Sequence, residues 1–173
     1  APRTPSALPA EVPAGAHRIA ALQYEIRSRR APSDILAELD VAVGRAAAAG
    51  AELVLLPELF VLDVWPASVE DEPAFVRRVA RDTTPVLLEG LAAVARDHGA
   101  AVLAGSVPEL RGEGLFNTAY LFFPDGRHVR QDKMYLTAWG KRVGMTPGRR
   151  LETFDAPWGR TVILVCYDVE IPS

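Results

Sequence analysis

A chain of 173 residues that is 49% hydrophobic can bury one core, which predicts a single domain. Its formal charge of -3, from 19 Lys and Arg against 22 Asp and Glu, sets up no field that would gather nucleic acid or an anionic membrane, so neither is expected as a partner. No run approaches the roughly 18 to 20 apolar residues that span a bilayer, no basic flank leads into an apolar signal core, and one cysteine cannot form an internal disulfide; together these point to the cytoplasm.

Residues 1–16 carry four prolines and no apolar period, which predicts a flexible arm followed by a domain over 17–173. HRIAALQYEI, starting at His17, reads as a first strand. PSDILAELDVAVGRAAAAG then reads as a helix: Ser33 or Asp34 as the cap, Ile35, Leu39, Val43 and Ala46 on one face, and Gly50 at the left-handed exit. In AELVLLPELF the five residues ending at Leu56 form a strand buried on both faces, and Pro57 stops it because proline donates no ladder hydrogen bond.

A short helix is expected over 74–80. A longer one opens at Thr84 and Pro85, with Leu87, Leu88, Leu91 and Val94 inward and Gly99 closing it. AAVLAGSV is a third strand; LFNTAYLFF and HVRQDKMYL form a hairpin through PDGR. LETFDAPWGRTVILV makes two further strands around Pro-Trp-Gly and delivers the chain to Cys166. Strands alternating with helices, then strands alone, argue for an α/β fold of the mixed-sheet α+β kind, with helices on one face.

The sequence holds no G-x-S-x-G elbow, H-E-x-x-H pair, paired cysteines or P-loop, so no cofactor and no metal is expected. His17, His98 and His128 lack ligand-like spacing and read as structural or solvated. Glu58, Lys133 and Cys166 share one property: each lies at or just past the end of an expected strand, where side chains converge on one rim of a sheet. Taken singly they read as a loop acid, an exposed lysine and a small core thiol.

The segments LVLLPELF, NTAYLFFPDGRHVRQDKMYLT and VILVCYDVEIP resemble, in that order, the three signature blocks of the nitrilase superfamily of carbon-nitrogen hydrolases. The resemblance runs from about His17 to the last residue, and CYDVEIP with LTAWGKRVGMTPG is most similar to amidase-like members sometimes fused to acetyltransferases. It implies the N-terminal part of a four-layer αββα sandwich and a catalytic triad of Glu58, Lys133 and Cys166. An ordinary thiol, with a pKa of about 8.5, is mostly protonated at neutral pH and needs a base. The implied role of Glu58 is that base, with Lys133 and the backbone N–H of Tyr167 forming an oxyanion hole and a Cys166 thioester as intermediate. The implied substrate is a small amide, carbamoyl compound or nitrile.

Three departures accompany the resemblance. Family members continue well past the cysteine block, which makes the domain incomplete at its C-terminus and raises an alternative reading: an impaired fragment serving as an interaction or assembly module, partnered by copies of itself or by a complementing chain. Many members carry a further glutamate after the lysine, where Gly140 stands here, and an arginine before it, where Asp132 stands. An acid beside Lys133 could divert its ammonium, although neighbouring strand residues face opposite ways.

Overall fold

Short β-rich segments joined by helices build parallel pairs, and those joined by tight turns build antiparallel ones; both kinds meet here in one sheet. The computed structural model describes residues 13–28, 30–66 and 68–171, so the arm expected over 1–16 falls mostly outside the described residues. Strands β1 (Ile19–Ala21), β2 (Leu53–Leu55) and β3 (Ala101–Leu103) lie parallel. β4 (Val107–Arg111) and β6 (His128–Asp132) pair antiparallel with the long β5 (Gly114–Phe122), which also pairs with β3. The mixed sheet thus has six strands, and a separate hairpin joins β7 (Thr153–Ala156) to β8 (Gly159–Val162).

Strand alternation divides the interior in two. Val54, Val102, Tyr120 and Phe122 face helices α1 (Pro32–Ala48) and α3 (Thr84–His98), packing on Ile35, Leu39, Val43, Leu87 and Leu91. Leu53, Ala101, Ala119, Leu121 and Phe123 face the other way, onto Ile163, Val165, Phe154 and Trp158 of the hairpin layer. Helices therefore cover one face, as the pattern predicts, and burying each large apolar side chain contributes roughly 1.5–3 kcal/mol.

Several boundaries differ from expectation for identifiable reasons. α1 is capped at Ala31, with Pro32 in its first turn and Ser33 and Asp34 already helical; Gly50 does take the left-handed conformation, at φ 84. α2 (Glu72–Arg78), capped by Asp71, runs through a π-helical turn (Val79–Thr83) directly into α3, so Pro85 continues a helix instead of opening one. The first strand stops at Ala21 because residues beyond it are drawn elsewhere: Tyr24 and the Arg27 and Ser28 N–H groups bond to Asp63.

The third strand breaks in two at Gly105, whose φ of 48 and whose closeness to Pro57 leave no room for a side chain. β4, which shares only Val107 with the expected third strand and runs on through Pro108, was not anticipated. The second strand of the expected hairpin ends at Asp132, since the N–H groups of Met134 and Tyr135 leave the ladder for Asp168. Short helix α4 (Ala138–Arg142), capped by Thr137, follows.

Candidate active site

Glu58 leaves β2 across Pro57 and forms an isolated parallel bridge with Ser106, on the far side of the Gly105 break. The next residue, Leu59, sits at φ 54 and gives its N–H to Ser106 O at 2.9 Å. A 3-10 helix (Phe60–Val64) then buries Asp63 fully. Asp63 accepts from Tyr24 Oη at 2.5 Å and from the N–H groups of Arg27 and Ser28 at 2.5 and 2.9 Å, and faces Arg30 at 3.3 Å. The segment leaving the glutamate is thereby pinned to the loop after β1.

Lys133 follows β6 and is 4% exposed. Its N–H bonds to Asn117 O at 2.8 Å, which fixes the backbone, and its ammonium reaches Glu58 Oε1 at 2.7 Å. The same oxygen accepts Asn117 Nδ2–H at 2.8 Å. Asp132 points to the opposite face, where it accepts from Arg111 at 2.6 Å and Thr118 Oγ1 at 2.9 Å. It does not divert the lysine.

Cys166 begins a 3-10 turn (Cys166–Glu170) after β8 and adopts φ 48, a left-handed conformation unusual for a non-glycine residue. Its thiol is exposed. Burial of the sulfur's inner side raises the thiol pKa above its ordinary value; the hydrogen bond and charge of Glu58 push the same way, while Lys133 and the Tyr167 N–H pull it down without reversing the direction. Glu58 contacts Lys133 and lines one small cleft together with Cys166.

The turn is tied to the lysine segment by Asp168, which is buried. Its Oδ1 accepts the Met134 and Tyr135 N–H groups at 3.1 and 2.8 Å, and its Oδ2 accepts that of Val165 at 3.1 Å. Sequence reasoning missed both Asp168 and Asn117. The available signal for Asn117 was parity: it shares a face with Leu115, Ala119 and Leu121, so a polar side chain there points into an apolar layer.

A cavity of about 180 Å³ opens beside these groups. Glu58, Asn117 and Lys133 form its polar end; Leu136, Trp139 and Met145 form its apolar wall, and Gly140 adds only backbone. A Cβ at Gly140 would meet Leu136 at 3.6 Å, so packing does not require glycine there. A second cleft of about 100 Å³ runs from Glu58 past Gly105 and Ala119 to Cys166. The histidines lie elsewhere: His17 pairs with Glu52, His98 with Asp40, and His128 packs beside Tyr120 and Phe122. Among the described residues, no group of three or more His, Cys, Asp or Glu side chains is placed to hold a metal ion, and no helix is long and apolar enough to cross a membrane.

Comparison with known proteins gives a consistent picture. The family model for carbon-nitrogen hydrolases matches residues 18–173. The chain is 26% identical over 158 residues to the probable hydrolase YhcX of Bacillus subtilis, covering 90% of this chain and 31% of that protein. It is 29% identical over 161 residues to the omega-amidase NIT2 of Bos taurus, covering 88% and 55%. The chain thus spans about half, or less, of these relatives. Among solved structures, an amidase from Nesterenkonia sp. superposes with a TM-score of 0.75 at 30% identity, over 91% of this chain and 58% of the other. A mutant of the Nesterenkonia sp. AN1 amidase, at TM-score 0.76 and 28% identity over 92% and 60%, shows covalent addition of the acetamide moiety of fluoroacetamide at the active-site cysteine.

Proposed function

We propose that this chain, which belongs to the carbon-nitrogen hydrolase family, hydrolyses a non-peptide carbon-nitrogen bond in a small amide through a Cys166 thioester. The observation that carries the reading is the Glu58–Lys133 contact of 2.7 Å, with Glu58 lining one small cleft together with Cys166, whose backbone takes a left-handed turn. Glu58 takes the thiol proton as Cys166 Sγ attacks the carbonyl carbon. The carbonyl π electrons move to oxygen, where Lys133 and the Tyr167 N–H stabilise the charge. Collapse breaks the C–N bond, and Glu58 returns its proton to the departing nitrogen, releasing ammonia and leaving the thioester. Water, deprotonated by Glu58, then attacks that thioester; the acid leaves and the thiol is restored.

In this scheme Lys133 stabilises the oxyanion and exchanges no proton. A nucleophilic thiol also suits a reducing compartment, so cytoplasmic residence belongs to this proposal. The test is ammonia release from acetamide, propionamide and butyramide by the chain, with mass spectrometry of Cys166. Turnover that disappears in Cys166→Ala supports the reading. Absence of both turnover and an acyl adduct sinks it.

One observation favours a second reading, that the chain works only when joined to a partner, a copy of itself or a complementing chain. Tyr135, Val162, Leu164 and Val169, all large and exposed, cluster in sequence around the lysine and cysteine segments. Sedimentation of the chain during the same assay separates the two: activity confined to an assembled form supports the partnered reading, and activity of the monomer rejects it.

A further inference from the structure

The Asn117 side chain makes one of the four hydrogen bonds open to an amide. It is 3% exposed, lines the cavity, and gives Nδ2–H to Glu58 Oε1 at 2.8 Å, while its Oδ1 is buried without a partner. The orientation of the side-chain amide follows from chemistry: an ionised carboxylate offers only lone pairs, so the NH₂ has to face Glu58 and the oxygen has to face away. Nearby, Glu58 Oε1 receives both Lys133 and Asn117, and Thr137 Oγ1 receives the Gly140 N–H at 3.3 Å. A buried acceptor left without a donor has lost its hydration for nothing in return, and such groups in native proteins call for an explanation.

We infer that Asn117 Oδ1 accepts an N–H of the substrate's carboxamide, so that the site selects primary amides over esters and nitriles, which carry no N–H. This assignment rests on the hydrolase reading above and deepens it. The amide nitrogen is held next to Glu58, the group that must protonate it as it departs, because Asn117 is itself bonded to that carboxylate. An ester of the same shape fills the same space yet leaves Oδ1 unpaired, and a site that pairs with a substrate N–H discriminates strongly against analogues lacking one.

The test compares kcat/KM for propionamide and methyl propionate, which reach the same acyl-enzyme, in the unaltered chain, Asn117→Ala and Asn117→Ser. Removing the acceptor is expected to lower the amide-to-ester ratio by at least about tenfold, with serine restoring part of it through its hydroxyl. A role confined to holding Glu58 would also slow the amide more than the ester, because methoxide leaves with less help from an acid, but it would do so in kcat; a ratio lowered through KM supports the assignment, and a ratio that is unmoved or lowered in kcat alone overturns it while leaving the hydrolase reading intact. Binding to Cys166→Ala, followed by NMR titration, supplies a second measure that needs no Asn117 variant. Propionamide binding about tenfold or more tighter than methyl propionate supports the assignment, and equal affinity overturns it. Absence of acyl transfer from both substrates overturns the hydrolase reading and this assignment with it.

Discussion

The Asp168 carboxylate accepts the Tyr135 N–H at 2.8 Å, and this bond spans the gap between the cysteine turn and the segment that follows the lysine. The same oxygen takes the Met134 N–H, and the other takes that of Val165, one residue before Cys166. Three backbone donors from two segments thus converge on one buried side chain.

Replacing this residue tests whether the convergence positions the site. Asp168→Asn turns an NH₂ toward donors that need an acceptor, leaving at least one buried N–H unsatisfied, a loss of about 1–3 kcal/mol. The urea midpoint should fall accordingly. Ammonia release should fall further than the folded fraction explains, because the cysteine turn would no longer be tied to the segment after the lysine. A stable variant with full turnover would show that the turn is held by other contacts.

The pH dependence of Cys166 alkylation reports the local field. Burial and Glu58 raise the thiol pKa and Lys133 lowers it, so the rate with iodoacetamide should rise with pH with a midpoint above that of a free thiol. Glu58→Gln removes a group that raises the pKa and should move the midpoint down. Lys133→Met removes one that lowers it and should move the midpoint up. Coincident profiles for all three proteins would mean that the groups do not share one field.

Gly105 admits no side chain. A Cβ there would lie 1.8 Å from Pro57 O, at a φ of 48. Gly105→Ala should destabilise the protein by more than the roughly 1–3 kcal/mol of the backbone conformation alone. The clash falls directly before Glu58, so amide turnover should suffer as well. Denaturant unfolding beside an activity assay checks both, and an unchanged midpoint would contradict the close approach.

Asp63 supplies a stability term with a definite sign. Burial opposes its ionisation, but hydrogen bonds from Tyr24, the Arg27 and Ser28 N–H groups and Arg30 more than offset this, holding its carboxyl below the usual range. A carboxyl whose pKa drops on folding contributes stability that is fully present above its unfolded pKa of about 3.9 and is lost as pH falls through the folded value. Asp63→Asn should therefore cost about 2–3 kcal/mol at neutral pH. The gap to the unaltered chain should narrow in acid, below about pH 4. A gap independent of pH would assign the loss to packing instead of charge.

Much of the scaffold was legible because it rests on periodic burial. Ile35, Leu39 and Val43 repeat at helical spacing and all three are fully buried; LFNTAYLFF and the segment after PDGR do pair as β5 and β6. Glu58 and Lys133, both placed by strand ends, meet in the fold. What escaped notice was held by long-range polar bonds. Asp63 shortens the first strand from 35 or more residues away, and Asp168 ends β6 early from more than 30. Neither has a periodic signature, since a side chain that collects backbone N–H groups from another segment is defined only after both segments are in place. The run of α2 through a π turn into α3 was hidden similarly: Thr84 and Pro85 look like a start, yet the missing N–H of Pro85 is accommodated within a continuing helix.

Leu59 and Cys166, one beside the proposed base and the other the proposed nucleophile, both have positive φ, where glycine and asparagine are the residues most at ease. Stability and chemistry therefore exert opposed selective pressures at these two positions. A combinatorial library at 59 and 166, sorted for folding alone, should drift toward glycine and asparagine. Cysteine should return at 166 only when the sort demands acyl transfer, which makes the backbone at the nucleophile a record of what the chain has been selected to do.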